Sequence, residues 1–254
     1  METGLRFLRL FSFIVSERRN RTGFRCYIQS MNIWNKKEKT LELMKQRHSV
    51  RQYFRKKIEE EKRKQLNSLT DRLNRQSGLQ IQIIYDEPDC FDSMKAHYGK
   101  IYGVSNYIAL VGKKGPDLDE KAGYYGEQLV LKAQELGLNT CWAALTHGKT
   151  RAKIGSNDKL VCVIALGYGA NQGKPHNSRP ESQVCNWSDS YPKWAKMGIE
   201  AALLAPTAIN QQKFYFTIED DHVSARVKGF GFCSKIDLGI AKYHFEAVTG
   251  KKVS

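Results

Sequence analysis

Hydrophobic residues recur along this chain at two periods, and the switches between them mark out its elements. Leu41, Leu43 and Met44 predict a short helix that ends near Arg47. Ile58, Leu66, Leu69 and Leu73 form a loose helical stripe through the charge-rich stretch 55–76. Gln80 to Tyr85 alternates and is β-branched, which predicts a strand, and Asn106 to Gly112 predicts a second, more buried one. Ala122, Tyr125, Leu129, Ala133 and Leu136 return to helical spacing, and Gly137 stands where a left-handed C-cap is expected. Leu160 to Gly167 is an unbroken apolar run, the pattern of a central strand covered on both faces. Residues 168–190 are rich in Gly, Pro, Asn and Ser and predict a loop. Residues 191–205 predict a helix that Pro206 ends. Phe214 to Ile218 and Val223 to Val227 predict a hairpin across Glu219, Asp220 and Asp221. Ile236, Ile240, Tyr243 and Ala247 predict a last helix, with Gly250 past its end.

The order suggests two similar halves, 55–137 and 191–250, each running helix, loop, strand, strand, helix, with the apolar strand between them. This is an α+β arrangement. At 254 residues the chain suits one large domain or two small ones and can bury a core without disulfides or metals. Hydrophobic residues make up 41%, an ordinary globular share, and no apolar run approaches the roughly 20 residues of a membrane helix. No membrane partner is expected.

The six cysteines form no Cys-x-x-Cys pair, so a zinc site has no local support. Scattered cysteines fit a reducing compartment, and a cytoplasmic location is expected. Net charge is +15, yet the lysines are dispersed and interrupted by acids such as Glu59, Glu60 and Glu61. That pattern suits a solvated surface or a phosphate-bearing cofactor better than nucleic acid. The first thirty residues differ from the rest: they hold six arginines and no lysine, whereas 31–254 hold 26 lysines and nine arginines. We expect Met31 to be the natural start, residues 1–30 to be a basic tail outside the fold, and residues 31–254 to be the domain.

Two apparent nucleotide motifs fail on inspection. His147-Gly148-Lys149-Thr150 ends like a P-loop, but Ala143 stands where the first glycine belongs. Gly167, Gly169 and Gly173 follow a strand, but the last spacing is one residue too long, and Pro175 and Pro180 occupy the place of the helix. A stronger signal is Arg47-His48-Ser49-Val50-Arg51. In an extended segment Arg47, Ser49 and Arg51 point to one side, and two guanidinium forks with a hydroxyl suit a phosphate or another oxygen-rich anion. An exposed basic edge would show the same spacing. Ala205 to Gln212 (APTAINQQ) is a polar turn between a helix and a strand. It either caps the helix or offers donors to a flat, polar-edged ligand.

Together these segments resemble the nitroreductase family, which carries an Arg-x-Ser-x-Arg segment and an Ala-Pro-Ser-x-x-Asn-x-Gln segment. Gly137-Leu138-Asn139-Thr140-Cys141-Trp142 and Ile164-Ala165-Leu166-Gly167-Tyr168-Gly169 add to the resemblance, which spans roughly residues 40–250. It implies a nitroreductase-like fold with a mainly antiparallel central sheet flanked by helices. It also implies bound FMN, with NADH or NADPH as electron donor. Hydride would pass through flavin N5, in ping-pong fashion, to a nitroaromatic, quinone or similar small-molecule acceptor. Residues matching Arg47, His48, Ser49 and Arg51 would hold the phosphate, ribityl chain and pyrimidine edge. Pro206, Thr207 and Asn210, with Gln212, would approach the flavin from the opposite side. Thr146 would lie along the ring, and Lys174 and Arg179 are candidates for the phosphate.

The cofactor carries the hard step in such chemistry, so the lack of a recognisable catalytic triad or metal set is expected. In the family the two segments lie close in sequence; here about 150 residues separate them. Leu69 to Gln76 stands in the usual place and lacks the motif. In the family the asparagine segment comes from a partner subunit. The expectation is therefore a monomer folded as a pseudo-dimer, with halves of about 40–170 and 190–254 and one FMN per chain; a homodimer is the alternative. Two other functions remain open at this point. One is reductive dehalogenation or flavin modification on the same fold. The other is a basic nucleic-acid-binding module, for which the chain offers no stacking-aromatic motif.

Overall fold

The computed structural model describes residues 36–254, so the basic tail and Cys26 lie outside the described residues. Thr40–Ser254 forms one unit, built around a five-stranded sheet. Its centre is β5 (Asp158–Gly169), the strand expected from the apolar run. It pairs with β3 (Asn106–Lys113), β4 (Asn139–Ala143) and the two-residue β1 (Tyr53–Phe54), and β2 (Gln82–Ile84) pairs in turn with β3. Every ladder is antiparallel.

Successive side chains of a strand point to opposite faces, and here both faces are covered. Cys162, Ile164 and Leu166 of β5, with Ile108 and Leu110 of β3, enter the larger core. Val163 and Ala165, with Tyr107, Ala109, Cys141 and Ala143, enter a second core on the other face. This is why β5 reads as a continuous apolar run rather than an alternating one. The larger core receives the helices α2 (Glu60–Ser77), α4 (Leu118–Glu135), α5 (Lys193–Leu203) and α6 (Ser234–Thr249). It also receives the hairpin of β6 (Phe214–Glu219) and β7 (His222–Val227). The first described helix, α1, covers residues 36–46. Gly78, Gly137 and Gly250 all follow helices with φ between 72° and 76°, the left-handed conformation expected past a helix end.

The pattern missed three elements, the two-residue β1, α3 and β4, and the last two have a local cause. The short helix α3 (Met94–Tyr98) has five residues, too few for a period, and is set by Ser93, whose hydroxyl caps the Ala96 N–H at 3.3 Å. Strand β4 opens with Asn139 and Thr140, both buried. Asn139 accepts from the Gly169 N–H at 3.0 Å and donates to Gln172 at 3.0 Å, so the site tolerates a polar residue that sequence periodicity counts against a strand. The predicted 80–85 strand contracts to 82–84. The Asn74 amide takes both backbone groups of Ile81, at 2.7 and 2.9 Å, and removes them from the ladder. Residues 60–135 and 193–249 each run from helix through two antiparallel strands to helix, with α3 as an extra in the first.

The helices that close these two segments, α4 and α6, meet backbone to backbone. A Cβ at Gly123 would collide with the Ile236 carbonyl, and one at Gly239 with the Glu120 carbonyl. Gly239→Ala gains helix propensity worth about 1 kcal/mol. It also forces two backbones apart, and overpacking of that kind costs about 1–3 kcal/mol, with no rotamer to relieve it. The expected net result is a lower urea midpoint at unchanged denaturant slope; an equal or higher midpoint contradicts this account of the helix contact.

Candidate active site

Near Arg47 the chain leaves α1. The Arg47 N–H still bonds the Leu43 carbonyl at 3.1 Å, so residue 47 belongs to the last helical turn. Extended geometry starts at Ser49, which bridges Thr140 of β4, and the Val50 N–H bonds the Thr140 carbonyl at 3.0 Å. This corrects the expectation that Arg47, Ser49 and Arg51 share one side, because the two-residue period does not reach into a helix end. Ser49 and Arg51 line a cavity of about 540 Å³, within the range of small-ligand sites. Arg47 is only 3% exposed and lies behind that wall.

The cavity's other walls come from far along the chain. Pro206 and Thr207 line it, as do Thr146, Trp142 and Cys141. Residues 155 to 158 positions apart in sequence thus face one space inside a single chain. Thr146 is seated by close packing: a Cβ at Gly99, just past α3, would overlap its side chain.

His48, Lys174, Arg179, Asn210 and Gln212 are not among the cavity walls. Asn210 and Gln212, expected to face a ligand, are engaged elsewhere. Both donate to the Asn177 carbonyl, at 2.9 and 2.8 Å, and the Gln212 carbonyl oxygen accepts from the Arg179 N–H at 2.9 Å. They tie the 205–212 turn to the loop that follows β5. The other end of that loop is tied to the first segment. His48 Nδ1 lies 3.1 Å from the Gln172 carbonyl, and Gly173, at φ 68°, packs where any Cβ would meet His48 and the Ser49 carbonyl. Lys174 and Arg179 are exposed on this connecting loop.

Behind the cavity stands a buried polar cluster that the sequence did not announce. Glu127 of α4 accepts from the Trp142 indole at 3.0 Å and faces His244 Nε2 at 3.0 Å. His244 Nδ1 faces the Ala201 carbonyl at 2.9 Å. Both ring nitrogens therefore face oxygen atoms, one of a carboxylate and one of a backbone carbonyl. Arg47 Nε lies 3.9 Å from Glu127 and is buried without a hydrogen bond. Burial lowers the Arg47 pKa from its ordinary value, and Glu127 works against that. His176 is depressed chiefly by burial. The Leu203 carbonyl it bonds opposes this, and positive charge at Arg47, His48 and His244 adds to it. The region around Arg47 is thus rich in positive charge and short of acceptors, which suits an anionic group.

Asp237, in the first turn of α6, is the one acidic wall of the cavity. It accepts from the Ala208 N–H at 3.0 Å and from Gln211 Nε2 at 2.7 Å, and so fixes the 206–211 turn to α6. An acid within the apolar run Ile236 to Ile240 was its only sequence signal. Cys90, Cys141, Cys162 and Cys185 are buried and Cys233 is half-buried; all five are free thiols. Among the described residues no cluster of metal-ligating side chains occurs, and no helix is long and apolar enough to cross a membrane.

Fold comparison places this arrangement in a class of proteins with the same mixed helix and antiparallel sheet. A "putative nitroreductase" from Thermotoga maritima is similar over 82% of both chains, at 21% identity and a TM-score of 0.61. A "putative nitroreductase in complex with fmn" from Desulfovibrio desulfuricans overlaps 60% of this chain and 98% of its own, at 19% identity and a TM-score of 0.48. An "FMN-dependent Nitroreductase" from Clostridium difficile overlaps 53% of this chain and 90% of its own, at 18% identity and a TM-score of 0.44. Among curated proteins none matches in sequence. A family model described as "Putative TM nitroreductase" matches residues 39–249. The chain belongs to this nitroreductase family.

Burial pushes the Asp237 carboxyl up from 3.8 to about 6, against the hydrogen bonds from Gln211 and Ala208 that lower it. The folded state therefore holds this proton more tightly than the unfolded chain, and Asp237 makes stability fall as pH rises from about 4 to about 6. The size is on the order of 3 kcal/mol. Asp237→Asn removes this titration. Urea midpoints at pH 4 and pH 7 should show the wild type losing stability relative to the variant across that interval. A constant difference between the two proteins contradicts the shift.

Proposed function

We propose that this protein is an FMN-dependent oxidoreductase that takes electrons from NADH or NADPH and passes them to a nitroaromatic, quinone or similar small acceptor. The observation that carries this reading is the single cavity bounded by Ser49 and Arg51 on one side and Pro206 and Thr207 on the other. Its volume, the Arg51 side chain in one wall and the otherwise largely apolar lining suit a flat, polar-edged ring. When bound there, FMN supplies a hydride-accepting and hydride-donating centre, and the protein supplies binding, orientation and charge.

The chain's own residues divide that work. The Arg51 guanidinium, exposed at the cavity and without a hydrogen bond or ion pair among the described residues, suits the pyrimidine edge, where it would favour added negative charge. The Ser49 hydroxyl lies beside it for the ribityl chain. Arg47, buried and short of acceptors, with His48 next to it and Lys174 on the loop packed against His48 and Ser49, suits the phosphate. Pro206, Thr207 and Thr146 provide walls for the ring. Asn210, Gln212 and Arg179 act one step back by fixing the turn and loop that position those walls.

Both sides of the site come from one chain, so the reading includes a monomer with a single FMN, one half standing in for each subunit of a dimer. A small-molecule acceptor is the partner; neither nucleic acid nor membrane is needed.

Purified protein should be yellow, and NADH or NADPH should bleach it under nitrogen. Arg51→Ala should raise the FMN dissociation constant at least tenfold, corresponding to the loss of a charge-assisted contact worth about 1.5–3 kcal/mol. Its unfolding midpoint should stay near that of the wild type, since Arg51 is exposed. Failure of added FMN to quench or shift its fluorescence with the wild type would remove the basis of this reading.

A further inference from the structure

The backbone of the 205–212 turn is strained in a way that capping does not require. Ile209, Asn210 and Gln212 all have positive φ, at 47°, 56° and 44°. Asparagine accepts that region readily; a β-branched isoleucine does not. Ile209 is also 96% exposed, so no packing compensates the strain. The conformation is held by its surroundings. Ala208 and Gln211 are fixed to Asp237, Gln211 also to the Phe232 carbonyl, and Asn210 and Gln212 to the Asn177 carbonyl. Those bonds hold an apolar side chain out in water at the wall of the cavity.

Ile209 does not stand alone. Met94, Tyr98, Leu145 and Phe232, from three other segments, line the same cavity, and each is more than half exposed. Nine large apolar side chains are exposed among the described residues, and five of them belong to this one concavity. Such concentration marks a binding surface rather than the scatter normal for a monomer. The cations of the walls are Arg51 and Lys95, and the only acid, Asp237, is buried and engaged in hydrogen bonds.

We propose that Ile209, with Phe232, Leu145, Tyr98 and Met94, forms the platform that receives the electron acceptor, and that it selects planar, apolar aromatic acceptors that are neutral or anionic over cationic ones. This deepens the reading of the cavity as a flavin site and rests on it. Ile209 is a specificity-determining residue, and its strain is the cost of presenting an apolar face to a ligand that the free protein lacks.

The test uses the FMN-loaded protein, with flavin content read first from its absorption. Glycine is at ease at positive φ, so Ile209→Gly should fold with an equal or higher thermal midpoint. The ratio of kcat/KM for menadione, a planar apolar quinone, to that for ferricyanide, a compact hydrophilic acceptor, should fall at least tenfold. The dissociation constant of 8-anilinonaphthalene-1-sulfonate, followed by its fluorescence, should rise at least fivefold. Leu145→Ser, also at an exposed position, should move both readings in the same direction. Unchanged ratio and unchanged dye affinity in a flavin-retaining Ile209→Gly protein would overturn the proposal. So would conversion of a dimer to a monomer with the ratio unaltered, which would assign these side chains to a contact between copies. If neither protein retains FMN, the flavin reading fails by itself, while dye binding still reports on the platform.

Discussion

A buried carboxylate organises the region on which the site depends. Glu127 sits in the middle of α4 with no exposed surface, and an isolated charge there would cost several kcal/mol. It is tolerated because three elements bring partners to it: β4 the Trp142 indole, α6 the His244 ring, and the end of α1 the Arg47 guanidinium. Each partner has a second duty. Trp142 is a wall of the cavity, His244 reaches on to the Ala201 carbonyl of α5, and Arg47 is a buried cation two residues before the cavity residue Ser49. Arg47 Nε is left without a hydrogen bond in this cluster, so an anion near Arg47 would complete it rather than compete with it.

The glycines of α4 and α6 make that geometry attainable. With Gly123 against Ile236 and Gly239 against Glu120, the two helices come close enough for His244 to reach Glu127 and for Asp237 to stand at the cavity. Asp237 then fixes the 206–211 turn, and the loop 170–180 ties that turn back to His48 and Ser49. A chain of local contacts, none long in reach, thus closes a distance of 150 residues in sequence.

Much of this was legible beforehand, and what was not has physical causes. The long elements were readable because burial imposes a period on them: the β5 run, the Leu129 stripe of α4 and the glycines past two helices, Gly137 and Gly250, all stand where pattern placed them. Strand β4 was hidden because Asn139 and Thr140 are buried polar residues satisfied by distant partners. Of the candidate site, Ser49, Arg51, Thr146, Pro206 and Thr207 surround one cavity. Arg47 departs from the simple spacing argument because its N–H closes the last turn of α1, where a two-residue period does not hold. Asn210 and Gln212 were expected to face the ligand from the family resemblance, but amide side chains serve equally well to satisfy loop backbone, and only the fold decides between the two. The Glu127 and His244 pair left no trace in sequence, since its members lie 117 residues apart.

We propose that one chain completes the flavin site by itself. Native mass spectrometry of the FMN-loaded protein, at concentrations from low micromolar upward, tests it most directly. The account predicts that the monomeric species carries one FMN and that the flavin remains bound on dilution. Flavin found only in a dimer, or two flavins on one chain, would contradict it.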